Sequence, residues 1–355
     1  MMKDVRNYSL LEHNTFGIAA RCRRFLEYAS VEEARQVAAM IRNTCCPDHQ
    51  RGQTVNDEPL LIIGAGSNLL LTGDFPGIVV HSAIMGREAI TAGSDVGPEA
   101  VLLRVGSGEN WDEVVDYCVA QGWYGAENLS LIPGEAGASA VQNIGAYGVE
   151  AHHIIYKVEA VGVDDGMMHT FTAAECGYGY RQSRFKREWK NKYLITHVTY
   201  RLSKVFTPHL DYGNIRQELE RRGIAEPTAR QLREVIMAIR REKLPDPKVE
   251  GNAGSFFMNP VVPRARFEAL LADYPQMPHY FVDEDHEKIP AGWLIDQCGW
   301  KGRSVGAAGV HARQALVLVN RGGATGADIV RLCEQIRSDV AARFGIDIHP
   351  EVNII

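Results

Sequence analysis

Apolar residues recur at helical spacing in three stretches of the chain. Val31, Ala34, Val37, Ala38 and Ile41 share one helical face behind a capping box of Ser30 and Glu33, which predicts a helix over 31–42. Thr228 with Gln231 opens a second, running to Glu242 and stopped by Leu244-Pro245-Asp246-Pro247, where the composition also breaks. Thr325 with Asp328 opens a third, which carries Ile329, Leu332, Cys333, Ile336, Val340 and Phe344 and ends at Gly345. Other stretches have the pattern of strands. Residues 60–63 and 101–105 are short apolar runs entering glycine turns, and 155–163 and 193–202 alternate as in a sheet covered on one face. A helix opens near Asn110, with Glu113 placed to cap it and Gly122 to stop it. Residues 44–59 read as a long polar loop, and 346–355 as an extended segment that adds a strand to some sheet.

At about 150 residues per domain, the 355 residues make two to three domains. With 45% apolar and 23% charged residues the composition is that of a globular chain, and no apolar run nears the roughly 20 residues of a membrane span. Net charge is −6 without a concentrated basic stripe, which argues against nucleic acid as the main partner but leaves room for a local cationic pocket. The opening Met1-Met2-Lys3-Asp4-Val5-Arg6-Asn7-Tyr8 lacks the pattern of a secretory signal, so a cytoplasmic location is expected. Seven cysteines without a C-x-x-C pair argue against a disulfide framework or zinc ribbon. Cys118 and Cys333 are expected as core thiols, and the adjacent Cys45 and Cys46 as loop residues. His152 and His153 stand together without a carboxylate at ligand spacing, so no metal is expected.

Candidate chemistry begins where glycines expose the backbone. Gly64-Ala65-Gly66-Ser67-Asn68 follows a strand and reads as a phosphate cradle, although Leu69 stands where a dinucleotide fingerprint has its third glycine. Alone, a tight strand exit is the better reading. Gly106-Ser107-Gly108 and Pro133-Gly134-Glu135-Ala136-Gly137-Ala138-Ser139 add two small-residue turns, and several such backbones together could hold a pyrophosphate. Gln142-Asn143-Ile144-Gly145-Ala146-Tyr147-Gly148 mixes amides, glycines and an aromatic. Residues 177–186 set cations among aromatics, and could be an anion clamp or a solvated basic loop. Ser255, on the turn 251–260, lacks a nucleophile elbow, so acyl transfer is disfavoured.

Taken in order, these segments resemble one family. Asn14-Thr15-Phe16, Ile63 to Asn68, Ile132-Pro133-Gly134, Gln142 to Gly148, Tyr180-Arg181 through Lys186, Gly251 to Pro260, Ala291 to Asp296 and Pro350-Glu351-Val352 resemble the UDP-N-acetylenolpyruvoylglucosamine reductases, or MurB family, over nearly the whole chain. Tyr212 and 244–248 resemble its longer form, in which a tyrosine-bearing loop closes over the substrate. The resemblance implies an α+β fold: an FAD-binding domain of the vanillyl-alcohol-oxidase type in two subdomains, 1–89 (joined by 346–355) and 90–242, then a substrate-binding domain, 243–345. It implies non-covalent FAD, NADPH as co-substrate, and reduction of UDP-N-acetylglucosamine enolpyruvate by a monomer.

By the same resemblance, Arg181 and Glu351 lie beside the substrate carboxylate and Ser255 donates the proton. Gly64, Gly66, Ser67 and Asn68 meet the FAD pyrophosphate, while Ile132, Pro133 and Gly145 line the isoalloxazine or its linker. Tyr147, Tyr212, Arg240, Lys243, Asn259, Tyr280 and Gln314 contact the UDP-sugar. Three departures stand out: Met258 for a common Lys, Asn353 for a common Arg, and Glu135-Ala136 for a small polar residue and Val. A carboxylate beside phosphates would repel them, so Glu135 is expected to point outward. Two alternatives stay open, another FAD oxidoreductase of the same superfamily using oxygen or an organic acceptor, and a catalytically silent flavin or nucleotide-sugar binding protein. Ser255 with Glu351 weighs against the first, and retention of Arg181, Ser255 and Glu351 together against the second.

Overall fold

The computed structural model describes residues 2–45, 58–90 and 96–355. Cys46, the side chain of Cys45 and most of the 44–59 loop lie outside them. The fold is α+β, and the chain divides into two compact units.

The first unit is Met1–Tyr8, Cys22–Ala65 and Pro76–Arg240. One sheet orders its strands Lys3–Ser9, Arg21–Tyr28, Phe75–Ser82 and Leu60–Ile63, the last two parallel. Helix α1 (Val31–Cys45) runs three residues further than its spacing predicts. It buries Ala34, Val37, Ala38 and Ile41 with Ile78 and Val80 of the sheet. Glu33 donates its backbone N–H to Ser30 Oγ and accepts from Ala29 N, which closes the predicted cap.

A second, antiparallel sheet orders Met168–Thr172, Ile155–Gly162, Tyr193–Ser203, Ala100–Gly106 and Arg87–Ile90. One face buries Leu103, Val105, Val158, Ala160, Val198 and Tyr200 in a core shared with α2 (Trp111–Gln121) and α3 (Ala136–Gln142). Val161, Val163 and Leu194 are buried with α1, so the sheet is covered on both faces and not on one as its alternation predicts. Asn110 Oδ1 accepts from Glu113 N, and Gly122 at φ 72° ends α2 in the left-handed conformation a glycine adopts without strain. Cys118 is buried there as expected. Helices α4 (Ile215–Arg221) and α5 (Ala229–Lys243) form a smaller cluster from Ile215, Leu219, Leu232, Val235, Ile236 and Ile239, against which Tyr147 packs.

The second unit is Ser9–Arg21, Gly66–Phe75 and Arg241–Ile355. It holds α6 (Arg264–Asp273), α7 (Ala291–Gln297) and α8 (Gly326–Phe344) with a four-stranded and a three-stranded sheet. Thr325 and Asp328 close a reciprocal capping box on α8, and Gly345 at φ 58° ends it. The predicted face of α8, Cys333 included, is buried. Of the extended C-terminal segment only Asn353–Ile354 is a strand, pairing in parallel with Leu69–Leu70. That pairing anchors the chain just after the Gly66–Asn68 turn.

Candidate functional site

Each unit brings its own candidate residues together. In the first, α3 ends at Asn143, left-handed at φ 44° and fully buried. Its amide donates to Glu150 Oε2 at 2.7 Å and Gly179 O at 2.8 Å, and its Oδ1 accepts from His152 N. One side chain therefore ties the Gly145 turn to the loop carrying Arg181. Arg181 Nη2 donates to Gly145 O at 2.5 Å and Nη1 to Asn143 O at 3.4 Å. At Gly145 a Cβ would fall 2.9 Å from Glu150 Cγ and 3.2 Å from Arg181 Nη1, so only glycine fits without a shift. Asn143, Tyr147, Arg181 and Leu131 all hold positive φ, a strain of about 1–3 kcal/mol each that persists where surroundings over-determine it.

Leu131 shows how that strain is held. Its N–H donates to Asp112 Oδ1 at 2.5 Å, and its carbonyl accepts from Arg240 Nε at 3.2 Å. Asp112 in turn pairs with Arg233 of α5 at 2.6 Å. Burial opposes the charge on Asp112, but Arg233 and the Leu131 N–H outweigh it and hold the carboxyl below its usual range. The backbone entering Ile132-Pro133 is thus fixed from both sides by charged groups on α2 and α5. Burial lowers the Arg240 pKa, with Tyr147 close enough to act on it electrostatically. Tyr147 and Tyr212 meet through their glycines. A Cβ on Gly148 would lie 3.4 Å from Tyr212 Cβ, and one on Gly213 3.7 Å from the Tyr147 ring.

In the second unit, Ser255 is exposed on a turn braced by the buried Asn252, whose Oδ1 accepts from Gly254 N at 2.9 Å. The next residue, Phe256, is fully buried, and its carbonyl accepts from Glu351 N at 2.8 Å. Phe257 bridges Pro350, and Met258 N donates to His349 O. This short antiparallel register makes Ser255 and Glu351 neighbours in space, although 96 residues of sequence separate them. Asn68 Nδ2 reaches Glu351 O at 3.4 Å, while both Asn353 N and Asn353 Nδ2 donate to Asn68 O. Asn353, present where the family commonly has Arg, therefore anchors this turn. Asn259 Oδ1 accepts from Ala291 N, and Gln314 Oε1 would lie 3.2 Å from a Cβ on Gly292, so both flank the start of α7. Tyr280 is exposed on the three-stranded sheet, and Lys243 ends α5.

The glycine turns divide in use. At Gly106–Gly108 the N–H groups are spent on the protein: Gly106 N on Gly86 O, Ser107 N on Thr196 O and Gly108 N on Ile84 O, at 2.8–2.9 Å. Ser107 Oγ donates to Ile195 O. That turn is packing, which removes it from the proposed pyrophosphate donors. In Pro133–Ser139, likewise, Ala136 N, Gly137 N and Ser139 N bond to protein carbonyls. At Gly64–Asn68 the protein holds the carbonyls instead, with Gly66 O accepting from Thr15 N and Asn68 O from Asn353. Gly66, at φ 67°, has no room for a side chain, since a Cβ would sit 1.9 Å from His13 O.

Glu135 corrects an expectation. It does not point outward: its carboxylate is 13% exposed, lies 3.0 Å from His81 Nε2, and approaches Gly64 to 3.1 Å of a Cβ position. Glu27 meets His81 Nδ1 at 2.9 Å. Burial lowers the His81 pKa, but the two carboxylates outweigh it and raise it, so the imidazolium offsets the acid beside the turn. Among the described residues no His, Cys, Asp and Glu cluster suited to a metal is present, and no helix is long and apolar enough to cross a membrane. His153 accepts from Glu150 N, closing the cap of a short 3₁₀ turn.

Comparison with known proteins decides the family. Residues 246–355 match the C-terminal domain of UDP-N-acetylenolpyruvoylglucosamine reductase, and 51–172 an FAD-binding domain. The chain is 55% identical over 350 residues to the Bacteroides fragilis (strain YCH46) UDP-N-acetylenolpyruvoylglucosamine reductase, covering 99% of each. The chain belongs to this reductase family. The enzyme of that name from Burkholderia cenocepacia is 46% identical, with 97% of this chain and 95% of that one covered. In fold, the Thermus caldophilus reductase matches with a TM-score of 0.63 at 22% identity, over 100% of this chain and 98% of that one.

The residues present fit FAD. Gly64–Asn68 supplies backbone, a serine hydroxyl and a carboxamide, and the acid beside it, Glu135, is paired with His81, so the donor chemistry is that which a pyrophosphate requires. Asn128, Asp112 and Arg233 were not singled out from sequence, and Asn143 only as one amide of the Gln142–Gly148 motif. Only the fold shows what each one holds.

Proposed function

We propose that this chain reduces the enolpyruvyl ether of UDP-N-acetylglucosamine enolpyruvate to UDP-N-acetylmuramate, a step of peptidoglycan precursor synthesis, with FAD and NADPH. The observation that carries this reading is the 55% identity over 99% of the chain to the Bacteroides fragilis reductase. We infer that it works as a cytoplasmic monomer, and that its loss impairs cell shape and division.

When bound, FAD supplies the hydride chemistry, taking electrons from NADPH and passing them to the vinyl carbon of the substrate. The chain's part is to bind, orient and donate a proton. Gly64, Gly66, Ser67 and Asn68 would hold the pyrophosphate, with Ile132, Pro133 and Gly145 lining the isoalloxazine or its linker. As hydride adds, negative charge grows on the adjacent carbon and its carboxylate. Arg181 meets it with a cation, Glu351 shares a proton with the carboxylate, and Ser255 Oγ protonates the carbon. A serine hydroxyl is a weak acid, so its position must do much of the work, and the braced turn between Asn252 and the buried Phe256 suits that role. Tyr147, Tyr212, Arg240, Lys243, Asn259, Tyr280 and Gln314 recognise the UDP-sugar.

The test is anaerobic absorbance of the FAD-loaded protein. Flavin bands should bleach with NADPH and return on adding the enolpyruvyl sugar. Bleaching without return would remove the substrate assignment, and failure to take up FAD would remove the reading altogether. In Ser255→Ala the first half-reaction should persist, while the second slows by about 10²–10⁴-fold.

A further inference from the structure

Asn128 lies in the 3₁₀ turn Glu127–Leu129 and is 2% exposed. Its amide nitrogen donates to Tyr147 O at 2.9 Å and to His209 O at 3.0 Å. A primary amide has two N–H donors, and both go to carbonyls on separate segments, 19 and 81 residues away in sequence. The first segment is the turn that presents Tyr147, held at φ 49°. The second is the loop that runs on to Tyr212. The same two segments interlock at Gly148 and Gly213, where each glycine faces the other segment's tyrosine. Without the Asn128 amide, two part-buried carbonyls lose their donors and a strained tyrosine turn loses its tie to the loop.

We propose that Asn128 is a positioning residue for UDP-sugar recognition, holding the Tyr147 turn and the Tyr212 loop in one arrangement so that both tyrosines are presented together. This rests on the assignment of Tyr147 and Tyr212 to the substrate made above. Asn128 acts through those loops and has no part in the proton or hydride steps. An aspartate could not replace it, because an ionised carboxylate offers only acceptors to two acceptors.

The test uses oxidised holoenzyme, titrated with UDP-N-acetylglucosamine enolpyruvate in the absence of NADPH and followed by the flavin absorbance change. Asn128→Ala should bind the sugar about 10–100-fold more weakly while FAD content per chain stays at the wild-type level. Asn128→Ser, which keeps one donor, should fall between the two and covers the case in which the alanine variant folds poorly. In a Tyr212→Ala background, Asn128→Ala should cost less affinity than it does in the wild type, because only the Tyr147 turn is then left for the amide to present. Limited trypsin digestion reads the tie without substrate: cleavage at the exposed Lys204, ahead of the loop, should speed up in both Asn128 variants. An unchanged affinity in both variants would overturn the proposal, as would loss of FAD in step with loss of sugar binding, which marks a merely structural residue. If wild-type holoenzyme does not bind the sugar while trypsin still separates the variants, the substrate assignment fails and the loop tie stands.

Discussion

Two glycine turns of nearly the same wording do different work in this molecule. Gly64-Ala65-Gly66-Ser67-Asn68 and Gly106-Ser107-Gly108 both close a short apolar strand, and either one read from sequence suits an anion. In the second, three successive N–H groups and the serine hydroxyl are consumed by carbonyls of its own unit, and Ser107 is 3% exposed. In the first, the carbonyls are what the protein grips. Anions are met by N–H groups, so a turn anchored through its oxygens is the kind that can serve a phosphate. Composition sets what a glycine turn can do; hydrogen-bond polarity sets which job it has.

The sharpest way to break this contrast is to add a methyl to each turn. Gly66→Ala meets His13 O at 1.9 Å from a positive φ, whereas Gly106→Ala meets Ile84 O at 2.3 Å. Overpacking costs about 1–3 kcal/mol in either case, and the left-handed conformation adds roughly 1–2 kcal/mol at position 66. Both variants should lower the melting temperature. Only Gly66→Ala should be purified without FAD and resist reconstitution, while the folded fraction of Gly106→Ala binds FAD with wild-type affinity. Equal loss of FAD from both would erase the distinction.

A smaller perturbation separates the two serines. Ser107→Ala removes a buried hydroxyl that donates to Ile195 O at 2.8 Å and sits 2.6 Å from Ser82 Oγ, so stability should fall by about 1–3 kcal/mol with FAD affinity unchanged. Ser67→Ala should weaken FAD by about tenfold, the loss of one hydrogen bond to a charged group. Calorimetric titration of FAD alongside thermal melts checks both arms.

Much of this was legible before the fold. The caps at Ser30, Asn110, Thr228 and Thr325 are local chemistry, and local chemistry is written in neighbouring residues; the hydrogen bonds of all four are present. Recognition of the family rested on motifs whose order along the chain is itself sequence. What could not be read was long-range polarity. That Gly108 N faces Ile84 O, that Phe256 pairs with Glu351 and that Asn128 joins two distant loops are all consequences of register. Glu135 is the clearest miss. Electrostatics alone sends a carboxylate away from a phosphate turn, and nothing in its neighbourhood in sequence reveals His81, 54 positions earlier, as its partner.

That partner supplies the finest test, because it tunes the Gly64 turn without touching it. His81 bridges Glu27 and Glu135, whereas the Ser107 hydroxyl of the packing turn meets Ser82 Oγ and Ile195 O. Burial opposes the imidazolium, yet the carboxylates raise the folded pKa above that of an unfolded histidine, about 6.5. The folded state therefore binds the proton more tightly, and the stabilisation is complete below the unfolded value and lost as pH rises through the folded one. The melting temperature of wild type relative to His81→Gln should be higher at pH 6 than at pH 9, with the gap closing steadily between them. Ser107→Ala should show a gap to wild type that does not vary over the same range, since nothing in its hydroxyl network titrates there. A gap for His81→Gln that widens with pH would mean that the neutral imidazole is the form the fold prefers, leaving Glu135 uncompensated beside the turn.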